Sequence, residues 1–415
     1  MSTIYLALSQ ARFHLGSLHE YTLLGAVFFL PLSLDIASAF LILSLLLWFL
    51  KMASEQKILW KKTPLDKFIA VYLFFSAASV LASPDKYFSF YNYYHLMGKY
   101  ILIYYLVINT ANSPDELKRL VKWFLASAAL VILYGFYQQT HAVDVTLWVD
   151  KAVFPEIKTR VFSTFGNPNL LAGFLVIIIA LCGGFIFYER RLKVKLLLLS
   201  LILAAAACLF LTYSRGLWLS SLAVLAVYGK FYNKRIFYFL IPLLAVPFFS
   251  ACAWERLLSI LHPADSSSAL RLALWESTRF MIKEHPLFGI GWGAYWLVYP
   301  EYDFFIHNKA VKIFHAHNMY LNIAAEIGIP GLLAFLAVLG GHLRLAYRSF
   351  IAAHDDTFAK GLTLGALAAL AGIIVSGFTD YVLFSTQMSM LFWFLNALII
   401  ANWQSKTRPG AREKK

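Results

Sequence analysis

Lys195-Leu196-Leu197-Leu198-Leu199-Ser200-Leu201-Ile202-Leu203-Ala204-Ala205-Ala206-Ala207-Cys208-Leu209-Phe210-Leu211-Thr212-Tyr213 has no charged side chain after its first residue. A helix needs about 20 apolar residues to cross the hydrocarbon core of a bilayer, and this stretch comes close to supplying them. Ser214-Arg215-Gly216 follows, and a second apolar run then continues to residue 230. An arginine between two apolar runs is costly in a membrane and marks a functional position by default. The other reading is a helix-end arginine whose head snorkels to the interface. The adjacent Gly216 and the short run after it favour a broken helix that lines a cavity.

The same pattern extends in both directions. Apolar runs occupy 17–33, 34–50, 66–83, 94–111, 119–138, 166–187, 195–213, 216–230, 236–252, 319–343, 358–379 and 381–402. The first two abut at Leu30-Pro31-Leu32-Ser33-Leu34-Asp35, which reads as a tight turn or as a kink in one long helix. The chain is 60% hydrophobic and 14% charged, with a mean hydropathy of +0.67. A soluble domain carries about 25% charged residues, and a soluble fold of this length would lack polar surface to cover its cores. The predicted fold is therefore all-α: a polytopic integral membrane protein of about 12 spans.

Lys and Arg gather in short clusters between runs: Lys51 to Lys67, Lys118-Arg119 with Lys122, Arg190-Arg191 with Lys193 and Lys195, Lys230 to Arg235, Arg344 with Arg348, and the tail from Lys406. Twelve spans put all of these clusters on one side together with both termini, and that side is expected to be cytoplasmic. The net charge of +14 is thus a topology signal, not a nucleic-acid-binding face. Cys182, Cys208 and Cys252 form no CxxC pair and imply neither a disulfide framework nor a zinc site. No cleavable-signal pattern opens the chain, so the first span is expected to direct insertion.

The expected organisation is nine spans in 1–252 with a loop at 139–165, a soluble loop at 253–318, three spans in 319–403 and a basic cytoplasmic tail at 404–415. Ser83 to Tyr94 forms a short aromatic connection on the side opposite the basic clusters. The loop at 253–318 is too long for a connector. It holds a helical stretch from Ser268 to Glu284, stopped by His285-Pro286. Ser266-Ser267-Ser268 can cap that helix, which would put Arg271 in its first turn, where a cation opposes the helix dipole unless an anion joins it. His315 and His317 are two residues apart and share no helix face, and with no further ligand in an organised spacing a metal site is not expected. A histidine at the junction of loop and membrane suits a general base near neutral pH. Arg160 precedes Phe165-Gly166-Asn167-Pro168-Asn169, which also reads simply as a turn into the sixth span. Three arginines and a histidine facing one compartment suit a phosphate-bearing substrate. No P-loop or Rossmann motif is present, so neither nucleotide nor another cofactor is indicated.

Four stretches in order give the chain a family resemblance: Phe165-Gly166-Asn167-Pro168-Asn169, Tyr213-Ser214-Arg215-Gly216, His285-Pro286-Leu287-Phe288-Gly289-Ile290-Gly291-Trp292-Gly293, and His317-Asn318-Met319-Tyr320-Leu321 running to Glu326-Ile327-Gly328. The sequence resembles the O-antigen ligase/polymerase superfamily of bacterial envelope enzymes. The resemblance implies an inverting, metal-independent glycosyltransferase in the inner membrane. Its donor would be a glycan on undecaprenyl diphosphate, and its site would face the periplasm. O-antigen ligases of this superfamily deliver the glycan to lipid A–core. On that resemblance His317 is the general base and Arg215 and Arg271 are catalytic, with Arg160, His315, Asn318 and Asp380 as substrate-binding candidates. Ser163 stands where relatives often carry glycine. Ligase is the leading expectation. A polymerase, a protein O-oligosaccharyltransferase and, in a different class, a transporter or flippase are the alternatives. The transporter reading predicts charges at mid-depth in several helices, whereas here they gather at one interface.

Overall fold

A computed structural model describes residues 2–95, 101–141, 159–239, 266–304 and 312–407. Regular structure among the described residues is helical: α1 (Ser2–Phe29), α2 (Leu34–Glu55), α3 (Asp66–Ser79), α4 (Lys86–Tyr93), α5 (Leu102–Thr110), α6 (Pro114–Thr140), α7 (Pro168–Tyr188), α8 (Leu192–Leu211), α9 (Arg215–Phe231), α10 (Ser266–Glu284), α11 (Tyr295–Val298), α12 (Met319–Ala352), α13 (Thr357–Ser376) and α14 (Thr386–Thr407). Six of these are long and apolar enough to cross a membrane: α2, α6, α7, α8, α12 and α13. The remaining apolar runs fall in shorter or more polar helices, or partly outside the described residues. Most of the run at 236–252, residues 142–158 of the loop at 139–165, residues 253–265 and 305–311 of the long loop, and the end of the basic tail lie outside them.

Local sequence sets the helix ends. Ser113 and Glu116 form a capping box at the start of α6, followed by Pro114. Asn167 caps α7 ahead of Pro168, Asn318 caps α12, and Asp356 caps α13. Leu30-Pro31 is a turn, not a kink, since α1 stops at Phe29 and α2 packs back against it. The carbonyls of that turn find partners in Thr164 Oγ1 (2.6 Å to Pro31 O) and Gln387 Nε2 (2.9 Å to Leu30 O), as backbone away from water requires.

α14 is buried on every side, with Met388, Leu391, Trp393, Phe394 and Leu398 all inside. It packs against α5, α6, α12 and α13, which identifies it as the bundle's central helix. α13 lies tightly against α7, where Gly184 meets the backbone of Gly361 and Gly365. Small residues four apart let the two backbones approach, the usual device where lipid supplies no hydrophobic drive between helices. The chain alternates direction, so the ends of α6, α8 and α13 and the starts of α7, α9, α12 and α14 gather at one end of the bundle. The basic turn at Arg190-Arg191 sits at the other.

α12 is not continuous. Gly328 breaks it with a left-handed backbone (φ 76°, ψ 172°), and Pro330 follows two residues later. Pro330 offers no N–H to its helix, and the break leaves carbonyls without intrahelical donors. The loop supplies them. Ile290 N–H donates to Ala325 O (2.8 Å) and Gly291 N–H to Glu326 O (3.1 Å), while Ile329 N–H donates to Pro286 O (2.8 Å). The glycine-rich stretch 285–293 is thus a backbone clasp on the break. Gly289 has φ 69°, and a Cβ there would collide with Ala325 O and the Glu326 backbone.

Gly289→Ala is therefore expected to destabilise the protein. The backbone strain alone is worth about 1–3 kcal/mol, and the collision adds to it. Thermal unfolding in detergent should show a clear fall in midpoint, and an unchanged midpoint would mean that the clasp is loose.

Candidate functional site

At the end of the bundle where these helices gather, α8 stops at Leu211 and the chain reverses through Thr212-Tyr213-Ser214 into α9, whose first residue is Arg215. Tyr213 takes a left-handed backbone (φ 52°) to make the reversal. The interrupted helix expected from the sequence is thus a reversal between two helices, and Arg215 sits in it at 7% exposure. An arginine this buried is not snorkelling to water. Arg160 approaches from the chain before α7, donating from Nε to Thr212 O (2.8 Å) and from a terminal nitrogen to Asn169 Oδ1 (3.1 Å) and Ser214 Oγ (3.3 Å). It therefore serves a carbonyl at the C-terminal end of α8 that has no partner in its own helix.

Arg160, Arg215 and Arg271 line one cavity of about 130 Å³, together with Asn169, Tyr213, Ser214, Thr379 and Asp380. α10 runs at least from Ser266, so Arg271 lies in its second turn at the earliest, not the first. The expected serine cap adjoins residues outside the described set. The cavity also adjoins the start of α7 and of α9, whose dipoles add partial positive charge. Three guanidinium groups and two helix N-termini thus concentrate positive charge around one cavity.

Asp380, between α13 and α14, is the one carboxylate among the described lining residues, and it is 5% exposed. Its Oδ2 accepts from Asn169 Nδ2 (2.6 Å), and its Oδ1 accepts from His317 Nδ1 (3.1 Å) and from the Tyr381 N–H (2.8 Å). Burial alone would raise the pKa of this carboxyl. The His317 hydrogen bond, with the charges of His317, His315 and Arg271, outweighs burial and holds it below the usual carboxylate range. An ionised carboxylate can only accept, so Nδ1 of His317 carries a hydrogen, and in the neutral imidazole that places the lone pair on Nε2. The His317 side chain is 31% exposed.

His315 stands behind His317, its ring 4.3 Å from that of His317 and 5.2 Å from that of Phe384. Its Nδ1 accepts the His317 N–H (3.2 Å). Burial, then the neighbouring His317, and more weakly Arg271, push its pKa down to about 3 against the opposing charge of Asp380. Asn318 is committed to the fold: Oδ1 caps α12 through the Tyr320 and Leu321 N–H groups (3.0 Å each), and Nδ2 donates to Phe378 O (3.2 Å). That leaves its side chain little to offer a substrate. His315, His317 and Asp380 bring ligand atoms within 4.8 Å of one another, so they are the described residues that could hold a cation. No spacing in the sequence marks such a set, because Asp380 is 63 residues from His317. The Nδ1 atoms of both histidines are already engaged, that of His317 on Asp380 and that of His315 on the His317 N–H.

Asn169 is the residue that sequence reasoning quoted but did not assign. It joins Arg160 to Asp380 and also accepts from Ser214 Oγ (2.7 Å). Its only signal was its place in the Asn167-Pro168-Asn169 helix start. Ser163, the departure from glycine, has φ 49°, a backbone that favours glycine. It is held there by Ser163 Oγ to Val131 O (2.7 Å) and by Gln138 Oε1, which accepts the N–H groups of Ser163 (2.7 Å) and Phe162 (3.2 Å). The turn survives the substitution, and Arg160 reaches the cavity.

Residues 199–336 match the family model described as O-antigen ligase. The match covers about a third of the chain and contains Arg215, Arg271, His315 and His317. Arg160 and Asp380 lie outside it and join the site through the fold. A search of curated proteins found no match.

Asp380→Asn offers one acceptor oxygen to three donors and turns an NH₂ group towards Asn169 or His317. At neutral pH the loss should be about 1–3 kcal/mol, the cost of a buried group left unsatisfied. The native carboxyl titrates below its ordinary 3.8, so its contribution is complete above that value and is lost as pH falls below it. Thermal unfolding of the two proteins should show a gap at pH 7 that narrows by pH 3.5. A gap independent of pH would refute the charge assignment.

Proposed function

We propose that this chain, whose residues 199–336 belong to the O-antigen ligase/polymerase superfamily, is an O-antigen ligase of the bacterial inner membrane. The reading takes both termini as cytoplasmic and the arginine cavity as open to the periplasm. The donor is a glycan on undecaprenyl diphosphate and the acceptor is lipid A–core. The observation that carries the reading is the cavity itself: three arginines and two helix N-termini, with Asp380 on its wall and His317 hydrogen-bonded to Asp380.

Arg215 and Arg271, with Arg160, hold the diphosphate of the donor. Bidentate guanidinium bonds suit its oxygens, and the same groups stabilise the charge that grows on it as it leaves. Asp380 keeps the His317 imidazole oriented with Nε2 as the base. The acceptor hydroxyl gives its proton to Nε2 while its oxygen attacks the anomeric carbon. The new C–O bond forms as the bond from that carbon to the diphosphate breaks, and the diphosphate leaves with the electron pair. A single displacement of this kind inverts the anomeric carbon. No nucleotide is consumed, because the donor carries its own leaving group. The lipid tail lies among the helices and the glycan projects into the periplasm.

The test is transfer in vitro, with purified protein in detergent, undecaprenyl-diphosphate glycan, lipid A–core, EDTA and no nucleotide. Glycan on lipid A–core supports the ligase; longer lipid-linked glycan alone would replace it with a polymerase. Arg215→Ala is expected to slow transfer by about 10²–10³, the usual cost of one transition-state donor. His317→Ala should slow it by about 10²–10⁴, with normal yield of folded protein in both cases. Near-normal transfer by either variant removes the role given to that residue.

A further inference from the structure

We propose that His315 is a positioning residue for His317, acting as a neutral acceptor that fixes the backbone from which the His317 ring reaches Asp380. The proposal rests on the reading of His317 as the base.

His317 has φ 49°. A non-glycine residue in the left-handed region is strained and persists only where its surroundings hold it. Three side chains anchor the backbone of this segment. The Ala316 N–H donates to Asn322 Oδ1 (2.9 Å), the Asn318 side chain caps α12, and the His317 N–H donates to His315 Nδ1 (3.2 Å). The last is a side chain accepting from the backbone two residues on, the topology by which Asn and Asp stabilise turns. It acts on the strained residue itself.

The direction of that bond fixes the chemistry of His315. A backbone N–H can only donate, so Nδ1 must carry a lone pair. His315 is then either neutral with its hydrogen on Nε2 or it does not make the bond. Its surroundings enforce the neutral form: the ring lies against Phe384 and near Tyr381, and the charged groups facing it are His317, Asp380 and Arg271. Burial lowers its proton affinity most, the neighbouring His317 and Arg271 disfavour a second charge there, and Asp380 opposes them without prevailing. The two histidines thus divide their roles. His317 has its Nδ1–H on Asp380, which lines the arginine cavity, whereas His315 uses its Nδ1 on the backbone N–H of His317.

Removing the acceptor should let His317 relax from φ 49° and swing its ring off Asp380. Misplacing a catalytic group by about 1 Å costs on the order of 10²-fold in rate. The test compares His315→Leu with His315→Asn in the lipid A–core transfer assay. Both side chains fill the space beside Phe384. The Asn oxygen can stand in for Nδ1, and Leu offers no acceptor. His315→Leu should lower kcat by about 10–10²-fold with less than about threefold change in donor or acceptor KM. His315→Asn should recover at least about half of the lost rate on a logarithmic scale.

Equal kcat for the two variants, at equal thermal midpoints, would overturn the proposal. So would a rise in KM as the main effect, which is the mark of direct substrate contact. If His315→Leu fails to fold, His315→Asn decides alone: near-native kcat supports the acceptor role, and a kcat at the His317→Ala level refutes it. His317→Ala, run beside them, separates the two readings, since normal transfer by that variant would sink the base assignment instead.

Discussion

A carboxylate that is almost fully enclosed must be paired, because a lone buried charge costs far more than the fold can spare. Asp380 meets that constraint by drawing on separate parts of the chain: Asn169 at the start of α7, His317 ahead of α12, and its own neighbour Tyr381. Asn169 passes the connection on to Arg160 and Ser214. The ends of α7, α8, α9, α12 and α13 are thereby tied into one polar network, and the arginine cavity is the space that the network encloses. The same negative charge partly offsets the three guanidinium groups that line the cavity.

The second constraint comes from the membrane setting. Backbone groups away from water must find partners within the protein, and α12 breaks at Gly328 close to the site. The glycine-rich stretch after α10 answers that need with its own backbone. This fixes the loop to the bundle, and with it Arg271 on α10 and the His315-Ala316-His317-Asn318 segment at the start of α12. The stretch from His285 to Gly293, which in the sequence only stops a helix and contributes to a family resemblance, is in the structure a backbone clasp. Its glycines matter because two backbones touch there.

Strain is concentrated around the network. Ser163, Tyr213 and His317 all have left-handed backbones without being glycine, and each lies within three residues of a side chain that makes the site. Such positions cost about 1–3 kcal/mol each and survive only where neighbours over-determine them. Gln138 and Val131 do this for Ser163, and His315 does it for His317. The strain aims Arg160, Arg215 and the His317 ring at one another across helices that would otherwise diverge.

The sequence by itself determined the class of the fold, because apolar runs of membrane length admit no soluble alternative. It also marked Arg215, which is conspicuous between two such runs, and located Arg160, Arg271 and His317 in motifs whose order points to a family. It could not fix the number of spans. Run length does not distinguish a lipid-facing helix from a buried one, and α14, central in the bundle, has nearly the same appearance as its neighbours. Nor could it assign Asn169, show what holds the Ser163 backbone or which group His315 bonds to, or say that Arg271 and Asp380 meet. Asp380 is 211 residues from Asn169 and 63 from His317, and only the packing of α13 against α7 brings these groups within hydrogen-bond reach. Hydrophobic pattern is a local property and is written residue by residue. A buried polar network is a property of several helix ends at once, so it exists only when the tertiary structure has brought them together.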